Sequence, residues 1–388
     1  MNKQQSPYRI EIKGVQFRNK GAYLMLLACL QGLQNVKNME LVLSPGPNLP
    51  YPERARLGAW QKLAFRRKSI DLTHWISRLP SPLIRLFNRY GMVTEQQVDA
   101  VLEASGFAYG DQWPLQFLQN TAREVERFAK AGKPFIFMPQ AFGPFESKES
   151  KAAMRTIIQH ARLLFVRDAV SRQHLESCLS PLPAHVIQSP DFTVGLSPQA
   201  LPAAASPYAA LIPNNKVISP YHHPNADQLK DDYLAAFVQA ADQLHQAGYA
   251  VKLVNHEGKE DAELCQHIQA RAQHAEVVEI TNPLAVKAYI GGASLVVSSR
   301  FHGAINALSQ GVPCIATSWS HKYRQMMQDF GMEAYCIETL TPASIQQSIN
   351  QLLADQATAC AELKVRKEIL LQKNQQMWQQ LYQQLPVD

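Results

Sequence analysis

Residues 294–331 read SLVVSSRFHGAINALSQGVPCIATSWSHKYRQMMQDFG. An apolar, β-branched run, Leu295 to Val297, ends in Ser298-Ser299. It delivers Arg300 and His302 to the mouth of a helix expected from about Gly303. A second apolar run, Val312 to Ala316, is the following strand, and Ser318, His321 and Lys322 stand at the start of the next helix. Buried strands alternating with helices make a parallel sheet. Its strand-exit turns lie along one edge, where ligands bind, and a helix N-terminus there favours an anion. Two successive turns carrying Arg, His, Ser, His and Lys predict a site for a small, doubly anionic molecule, with one group able to move a proton. A lone arginine is ordinarily a solvated charge and a lone histidine ordinarily caps or packs. This pair stands out because it straddles Phe301 directly after a buried-strand pattern.

The same alternation extends through the chain. Tyr8 to Lys13 is a first strand, residues 14–22 a Gly-bounded loop, and Tyr23 to Gln34 a helix. Met39 to Leu43, Ala100 to Ala104, Pro134 to Met138, Leu163 to Val166 and Val186-Ile187 continue as strands. The Pro/Ala-rich run 197–207, SPQALPAAASP, reads as a linker between an N-terminal domain, 1–196, and a C-terminal domain, 208–388. In the second half Val217 to Ser219, Val251 to Val254 and Glu276 to Ile280 read as strands, and 342–355 and 358–383 as terminal helices. The expectation is an α/β protein of two Rossmann-like domains facing each other across a ligand-binding cleft. There is no GxGxxG fingerprint, Walker loop or GxSxG elbow.

At 388 residues, 46% hydrophobic and 18% charged, the chain is globular rather than disordered. Six scattered cysteines form no CxxC pair, so neither a metal site nor a disulfide framework is expected. The N-terminus shows no signal-peptide core, and no apolar run reaches the roughly 18 residues of a membrane span, which predicts a cytoplasmic protein. The net charge of +6 is uneven. Residues 52–90 read as a basic amphipathic insert: Arg54 to Arg89 interleaves basic residues with Trp60, Phe65, Trp75 and Leu83, and Asp71 is the single acid. Such a stretch suits an anionic membrane surface, a polyanionic acceptor, or an ordinary solvated helix face. No nucleic-acid-binding motif occurs, so no nucleic-acid partner is expected.

Several motifs in order give the chain a family resemblance. Ser298-Ser299-Arg300-Phe301-His302, Gly311-Val312-Pro313, Lys322 and Gly331 form the strongest group. Met138-Pro139-Gln140-Ala141-Phe142-Gly143-Pro144-Phe145 and Arg167-Asp168 follow, then Asn19-Lys20-Gly21-Ala22, Ser105-Gly106-Phe107 and Asp191. Together they resemble the polysaccharide pyruvyl transferase family. The resemblance implies a fold like the GT-B glycosyltransferases. It also implies transfer of a pyruvyl unit from phosphoenolpyruvate to two hydroxyls of a sugar, on a polysaccharide or a lipid-linked oligosaccharide, forming a pyruvate ketal. Phosphoenolpyruvate enters as the donor substrate, and no cofactor is expected. The resemblance puts Arg300 and His302 on the donor-binding Arg-x-His positions and Arg167 on a second donor-binding arginine. Many members carry an acid after the Gly loop, where this chain has Tyr23.

The chemistry of the residues agrees with that assignment. Carboxylate and phosphate suit arginines, and ketal formation needs a proton delivered to the methylene carbon, a task for a histidine near neutral pH. His302 is therefore expected as general acid, with Arg300, Arg167 and Phe301 around the donor and Ser318 and Lys322 beside the leaving phosphate. Asn19, Lys20, Phe107, Asp111, Gln140, His256 and Glu257 are expected on the acceptor side, with Asp191 as a further base and Asp168 as a helix cap that orients Arg167. Two rival readings stand beside this one. One is a glycosyltransferase using a nucleotide sugar, with Glu333 or Glu338 on the ribose. The other is a non-catalytic scaffold at the membrane face of polysaccharide assembly.

Overall fold

Strands covered on both faces read as near-continuous apolar runs, and a strand in each sheet, Phe135–Gln140 and Leu295–Ser298, is buried throughout and apolar up to its exit. The computed structural model describes residues 7–67, 70–71, 73–76, 78–198, 206–218, 226–317 and 321–387. The chain divides into two compact units that are not consecutive blocks. The first takes the residues up to Phe17, Met25–Phe192 and the chain from Lys373. The second takes Arg18–Leu24 and Thr193–Gln372.

The first unit begins β1 (Tyr8–Lys13), α1 (Lys20–Gly32, its residues up to Leu24 counted with the second unit), β2 (Met39–Leu43), α2 (Tyr51–Arg56) and β3 (Trp60–Lys62). A small antiparallel pair, β4 (Arg66–Arg67) and β5 (Ile70–Asp71), leads to α3 (Thr73–Ile76), α4 (Ser81–Arg89) and β6 (Met92–Val93). Then come β7 (Ala100–Glu103), α5 (Leu115–Lys130), β8 (Phe135–Gln140), α6 (Lys148–His160), β9 (Leu163–Val166), α7 (Ala169–Glu176) and β10 (Val186–Gln188). Eight parallel strands pair in the order β10-β9-β8-β7-β1-β2-β3-β6, with Ile10 opposite Leu41 and Ile12 opposite Leu102. Every residue of β8 is buried. Helix α5 packs Leu118, Val125 and Phe128 beneath it.

The second unit runs β11 (Tyr208–Ile212), α8 (Ala226–Gln246), β12 (Ala250–Asn255), α9 (Gly258–Arg271), β13 (Glu276–Glu279) and α10 (Pro283–Gly291). It continues with β14 (Leu295–Ser298), α11 (Phe301–Leu308), β15 (Cys314–Thr317), α12 (His321–Asp329), β16 (Cys336–Ile337) and α13 (Pro342–Tyr382), whose residues from Lys373 belong to the first unit. Six parallel strands pair in the order β13-β12-β11-β14-β15-β16. Leu211, Phe237, Val297, Ile305 and Ile315 sit in its core.

Several expectations are corrected. Residues 215–218 form a 3-10 turn, not a strand, and Ser219 lies outside the described residues. The strand is the buried run Tyr208–Ile212, which was hidden against the Ala-rich linker. Residues 199–205 of that linker are also outside the described residues. The helix expected from Tyr23 starts at Lys20, because the Asn19 side chain caps it by accepting from Ala22 N at 3.1 Å. The two terminal helices are one, since Gln356 and Ala357 between them favour helix and nothing breaks it.

The basic insert is corrected too. Its Trp60–Lys62, and Met92–Val93 just beyond it, add two parallel strands to the sheet. Lys62 is no solvated cation. It is buried and donates to Glu11 at 2.6 Å and Glu124 at 2.8 Å. Burial works against its charge, but Glu11, Glu124 and Glu95 outweigh burial and raise its pKa.

Among the described residues, no helix is long and apolar enough to cross a membrane.

Candidate functional site

The second sheet reverses its winding between β11 and β14. The chain runs outward from β11 through β12 to β13, then crosses to β14 and on to β15 and β16. Ligands of open α/β sheets bind at such a switch point, beyond the strand C-termini. The exits of β11, β12 and β14 meet there, carrying Asn214, His256-Glu257 and Arg300.

Ser298 and Ser299 fix how the chain leaves β14. Ser298 Oγ accepts from Arg300 N at 3.1 Å and donates to Arg300 O at 2.8 Å, closing a tight turn into α11. Ser299 Oγ accepts from Tyr233 Oη at 2.8 Å. Ser299 O accepts from Asn214 Nδ2 at 3.0 Å and from Tyr323 Oη at 2.8 Å. Tyr233, Asn214 and Tyr323 thus hold Ser299 from three parts of the unit, while Ser298 bonds to Arg300 itself.

Arg300 is 8% exposed, and two acids hold its guanidinium. Its Nε and Nη2 donate to the two oxygens of Asp261, at 2.9 Å and 2.5 Å, a bidentate clamp. Its Nη1 donates to Glu257. Asp261 is fully buried and also accepts from Asn215 N at 3.0 Å. Glu257 accepts from Asn19 Nδ2 at 2.9 Å and pairs with Lys216 at 3.3 Å. Lys20 Nζ donates to Asn255 O at 3.2 Å.

The loop before α1 therefore belongs to this site. Asn19 ties to Glu257 and Lys20 to the β12 exit. Gly21 lies against His302, where an added Cβ would come within 3.0 Å of the imidazole Cγ and Cε1. Phe301 sets its ring edge-on to His302, 5.5 Å between centroids, and Lys322 Nζ stands 5.5 Å over the Phe301 ring.

Burial and charge set the protonation. Burial is the largest effect on Arg300 and opposes its charge, but Asp261 and Glu257 together raise its pKa, so it stays a cation. Burial lowers the Lys20 pKa, with Asp261 and Glu257 opposing. Burial raises the Asp261 pKa against the pull of Arg300. His256 is buried, and its Nε2 has no hydrogen-bond partner among the described residues. Burial, then Arg300, Lys20 and His302, push its pKa well below 6.5, so its ring is neutral near neutral pH.

The fold thus gathers Asn19, Lys20, His256, Glu257, Arg300, Phe301, His302 and Lys322 into one unit. Ser318 lies outside the described residues. Arg167, Asp191, Phe107, Asp111 and Gln140 belong to the first unit. There Arg167 is buried and donates to Asp191 at 3.0 Å, so Asp191, not Asp168, is its carboxylate partner. Asp168 does cap α7, accepting from Ser171 N at 2.6 Å. Both ends of the buried Gln140 amide are engaged, by Ser105 Oγ at 2.8 Å and Glu103 O at 3.4 Å. The Asp111 carboxylate accepts from Glu146 N. Phe107 is half-buried in the bend after β7. Glu338 is ion-paired with Arg324 and Glu333 is exposed.

Sequence reasoning missed Lys216, Tyr233 and the packing role of Gly21. Nothing in the local pattern marks Lys216 or Tyr233. Gly21 carried a faint signal, since a glycine inside the first turn of a helix costs stability unless something needs the space. Among the described residues, no group of three or more His, Cys, Asp or Glu side chains could hold a metal ion.

Two parallel α/β units, one with a basic site at its topological switch point, define a GT-B-like protein of two Rossmann-like domains. The polysaccharide pyruvyl transferase family matches residues 19–321, most of the chain, and this chain belongs to that family. The match begins at Asn19 and ends at His321, enclosing the site. The amylovoran biosynthesis protein AmsJ of Erwinia amylovora is 22% identical over 283 residues, 66% of this chain. The chain spans 66% of that relative's length, just under two thirds. Among solved structures, UDP-GlcNAc 2-epimerase from Neisseria meningitidis bound to UDP-GlcNAc superposes with a TM-score of 0.59. It is 11% identical, covering 97% of this chain and 100% of that one. The S. aureus MnaA-UDP co-structure gives a TM-score of 0.56 at 11% identity, covering 92% of this chain and 91% of that one. At these identities the likeness shows the fold.

Proposed function

We propose that this chain transfers a pyruvyl group from phosphoenolpyruvate to two hydroxyls of a sugar, forming a pyruvate ketal. The acceptor is a polysaccharide or a lipid-linked oligosaccharide. The observation that carries the reading is the clamped Arg300 at the switch point, with His302 two residues on in the first turn of α11. Asp261 and Glu257 hold the guanidinium plane through Nε, Nη2 and Nη1, leaving one N–H on each Nη for an anion. Lys20, Lys216 and Lys322 add positive charge for a donor with both carboxylate and phosphate.

In this reaction His302, as imidazolium, gives its proton to the methylene carbon, and C2 becomes electrophilic. One sugar hydroxyl bonds to C2 and returns its proton to His302. The second hydroxyl oxygen then bonds to C2 as the C2–O bond to phosphate breaks, and inorganic phosphate leaves with the second proton. One donor and two hydroxyls give one ketal and one phosphate, with no redox change.

The test is thermal stabilisation by phosphoenolpyruvate against a panel of nucleotide sugars, on wild type and Arg300→Ala. A ligand at about a hundred times its Kd adds about 2.7 kcal/mol. Stabilisation by phosphoenolpyruvate that disappears in the variant supports the proposal; stabilisation by a nucleotide sugar alone overturns it. His302→Ala is expected to abolish turnover while donor affinity stays within about tenfold, about 1.4 kcal/mol. Wild-type turnover in that variant removes His302 from the mechanism.

A further inference from the structure

The site above makes no use of the segment from Tyr51 to Tyr90, which holds an unusual surface. These 40 residues carry nine Lys and Arg against two acids. That excess of seven exceeds the whole chain's +6, so the remainder of the protein is slightly acidic. Lys62 and Arg54 are buried, but Arg56, Arg78, Arg85 and Arg89 face solvent.

Large apolar side chains are exposed beside them. Tyr51, Phe65, Trp75, Leu83, Leu86 and Tyr90 are 43–72% exposed, and they are half of the exposed large hydrophobic residues among the described residues. Scattered singly, such residues need no explanation, but clustering in one segment marks an interaction surface.

Helix α4, SPLIRLFNR, shows how the two features combine. No residue of it is buried, and it contains no acid. Leu83 and Leu86, with Tyr90 just past its end, follow i, i+3, i+7 spacing and form one exposed stripe. Ile84 and Phe87 turn partly inward. Arg85 and Arg89 flank the stripe, where long side chains can lie along an apolar layer and keep their charge in water. Trp75 repeats the arrangement with Arg78, whose guanidinium lies 4.1 Å over the indole ring. Arg78 also lines a hollow of about 550 Å³ with Glu95, Arg127, Lys130 and Lys133.

We infer that this surface docks the protein on an anionic lipid bilayer, with α4 lying in the interface and Leu83, Leu86 and Trp75 entering the headgroup–acyl boundary. An apolar stripe flanked by arginines suits a bilayer because it presents apolar depth under negative headgroups. A polar polyanion in solution would leave the leucine stripe without a partner, and a neutral protein surface would leave the arginines without one. The inference gives the lipid-linked form of the acceptor a physical place, but its test does not depend on pyruvyl transfer.

The experiment is co-sedimentation of the full chain with vesicles of phosphatidylcholine alone, or of phosphatidylcholine with about a third phosphatidylglycerol. Wild type, Leu83→Ser/Leu86→Ser and Arg85→Gln/Arg89→Gln are compared at low and high salt. Wild type is expected on the anionic vesicles and not the neutral ones. Each surface charge near such a membrane contributes about 1 kcal/mol, about fivefold, so the double Arg variant should bind about thirtyfold more weakly. The double Ser variant should lose binding that salt alone does not remove. Both variants should keep the wild-type melting temperature, because the substituted residues are on the surface. No binding of wild type to anionic vesicles overturns the inference. So does binding that neither double variant weakens, or equal binding to neutral vesicles. If light scattering shows wild type to be a dimer that Leu83→Ser/Leu86→Ser makes monomeric, the stripe covers a second copy and the lipid assignment fails.

Discussion

Asp261→Asn removes the charge of the carboxylate that orients Arg300 and changes little else in shape. Asp261 is fully buried, holds both Nε and Nη2 of Arg300, and accepts from Asn215 N. Breaking a buried ion pair by removing one partner costs about 3–5 kcal/mol, because the other charge is left buried and poorly compensated. Here Glu257 still holds Nη1, and the amide oxygen can accept one of the lost bonds. The lower end, about 3 kcal/mol, is therefore expected. For a unit of this size 1 kcal/mol moves the melting temperature by about 2–4 °C, so the transition of the second unit should fall by about 6–12 °C. Donor binding should fall with it, because the guanidinium loses its fixed plane. An affinity loss for phosphoenolpyruvate of at least about tenfold is expected by calorimetry at a temperature where both proteins are folded. If Asp261→Asn melts within about 1 °C of wild type and binds the donor equally well, the carboxylate does not position Arg300. The site would then have to be rebuilt around another group.

Gly21→Ala places a methyl group against the His302 ring, so kcat should fall at least about tenfold while donor affinity barely changes. Unchanged kcat would show that the ring moves freely. Lys62→Ala leaves Glu11 and Glu124 buried without their shared cation, and should cost the first unit about 3–5 kcal/mol, read as a shift in its urea midpoint. A cost below about 1 kcal/mol would mean that Lys13, which also pairs with Glu124, suffices. His256 has its folded pKa lowered by burial and then by Arg300, Lys20 and His302. Below the unfolded value near 6.5 the unfolded chain binds more protons, so stability is full above about pH 6.5 and is lost as pH falls. His256→Gln should flatten the drop in melting temperature between pH 7.5 and pH 5; equal drops in both proteins would contradict the buried neutral ring.

The alternation of apolar runs with helices determined the two parallel sheets. A strand buried on both faces is apolar along most of its length, and β8 and β14 are apolar until Gln140 and Ser298 at their exits. The same logic placed Arg300 and His302 at a strand exit, because a buried run that stops at Ser298-Ser299 has to leave the sheet there. Local patterns could not separate β11 from the Ala-rich linker, since both are runs of small apolar residues. Nor could they tell that Lys62 is buried, because its partners Glu11 and Glu124 are far away in sequence. Tertiary structure alone decided what surrounds Arg300. Asp261 and Glu257 are about 40 residues upstream and Asn19 nearly 300. Sequence fixes only neighbours one turn or one pleat away, whereas the winding order of the sheet decides which strand exits share an edge. That order, with β14 inserted beside β11, brings one arginine, two acids and the Asn-Lys-Gly turn together.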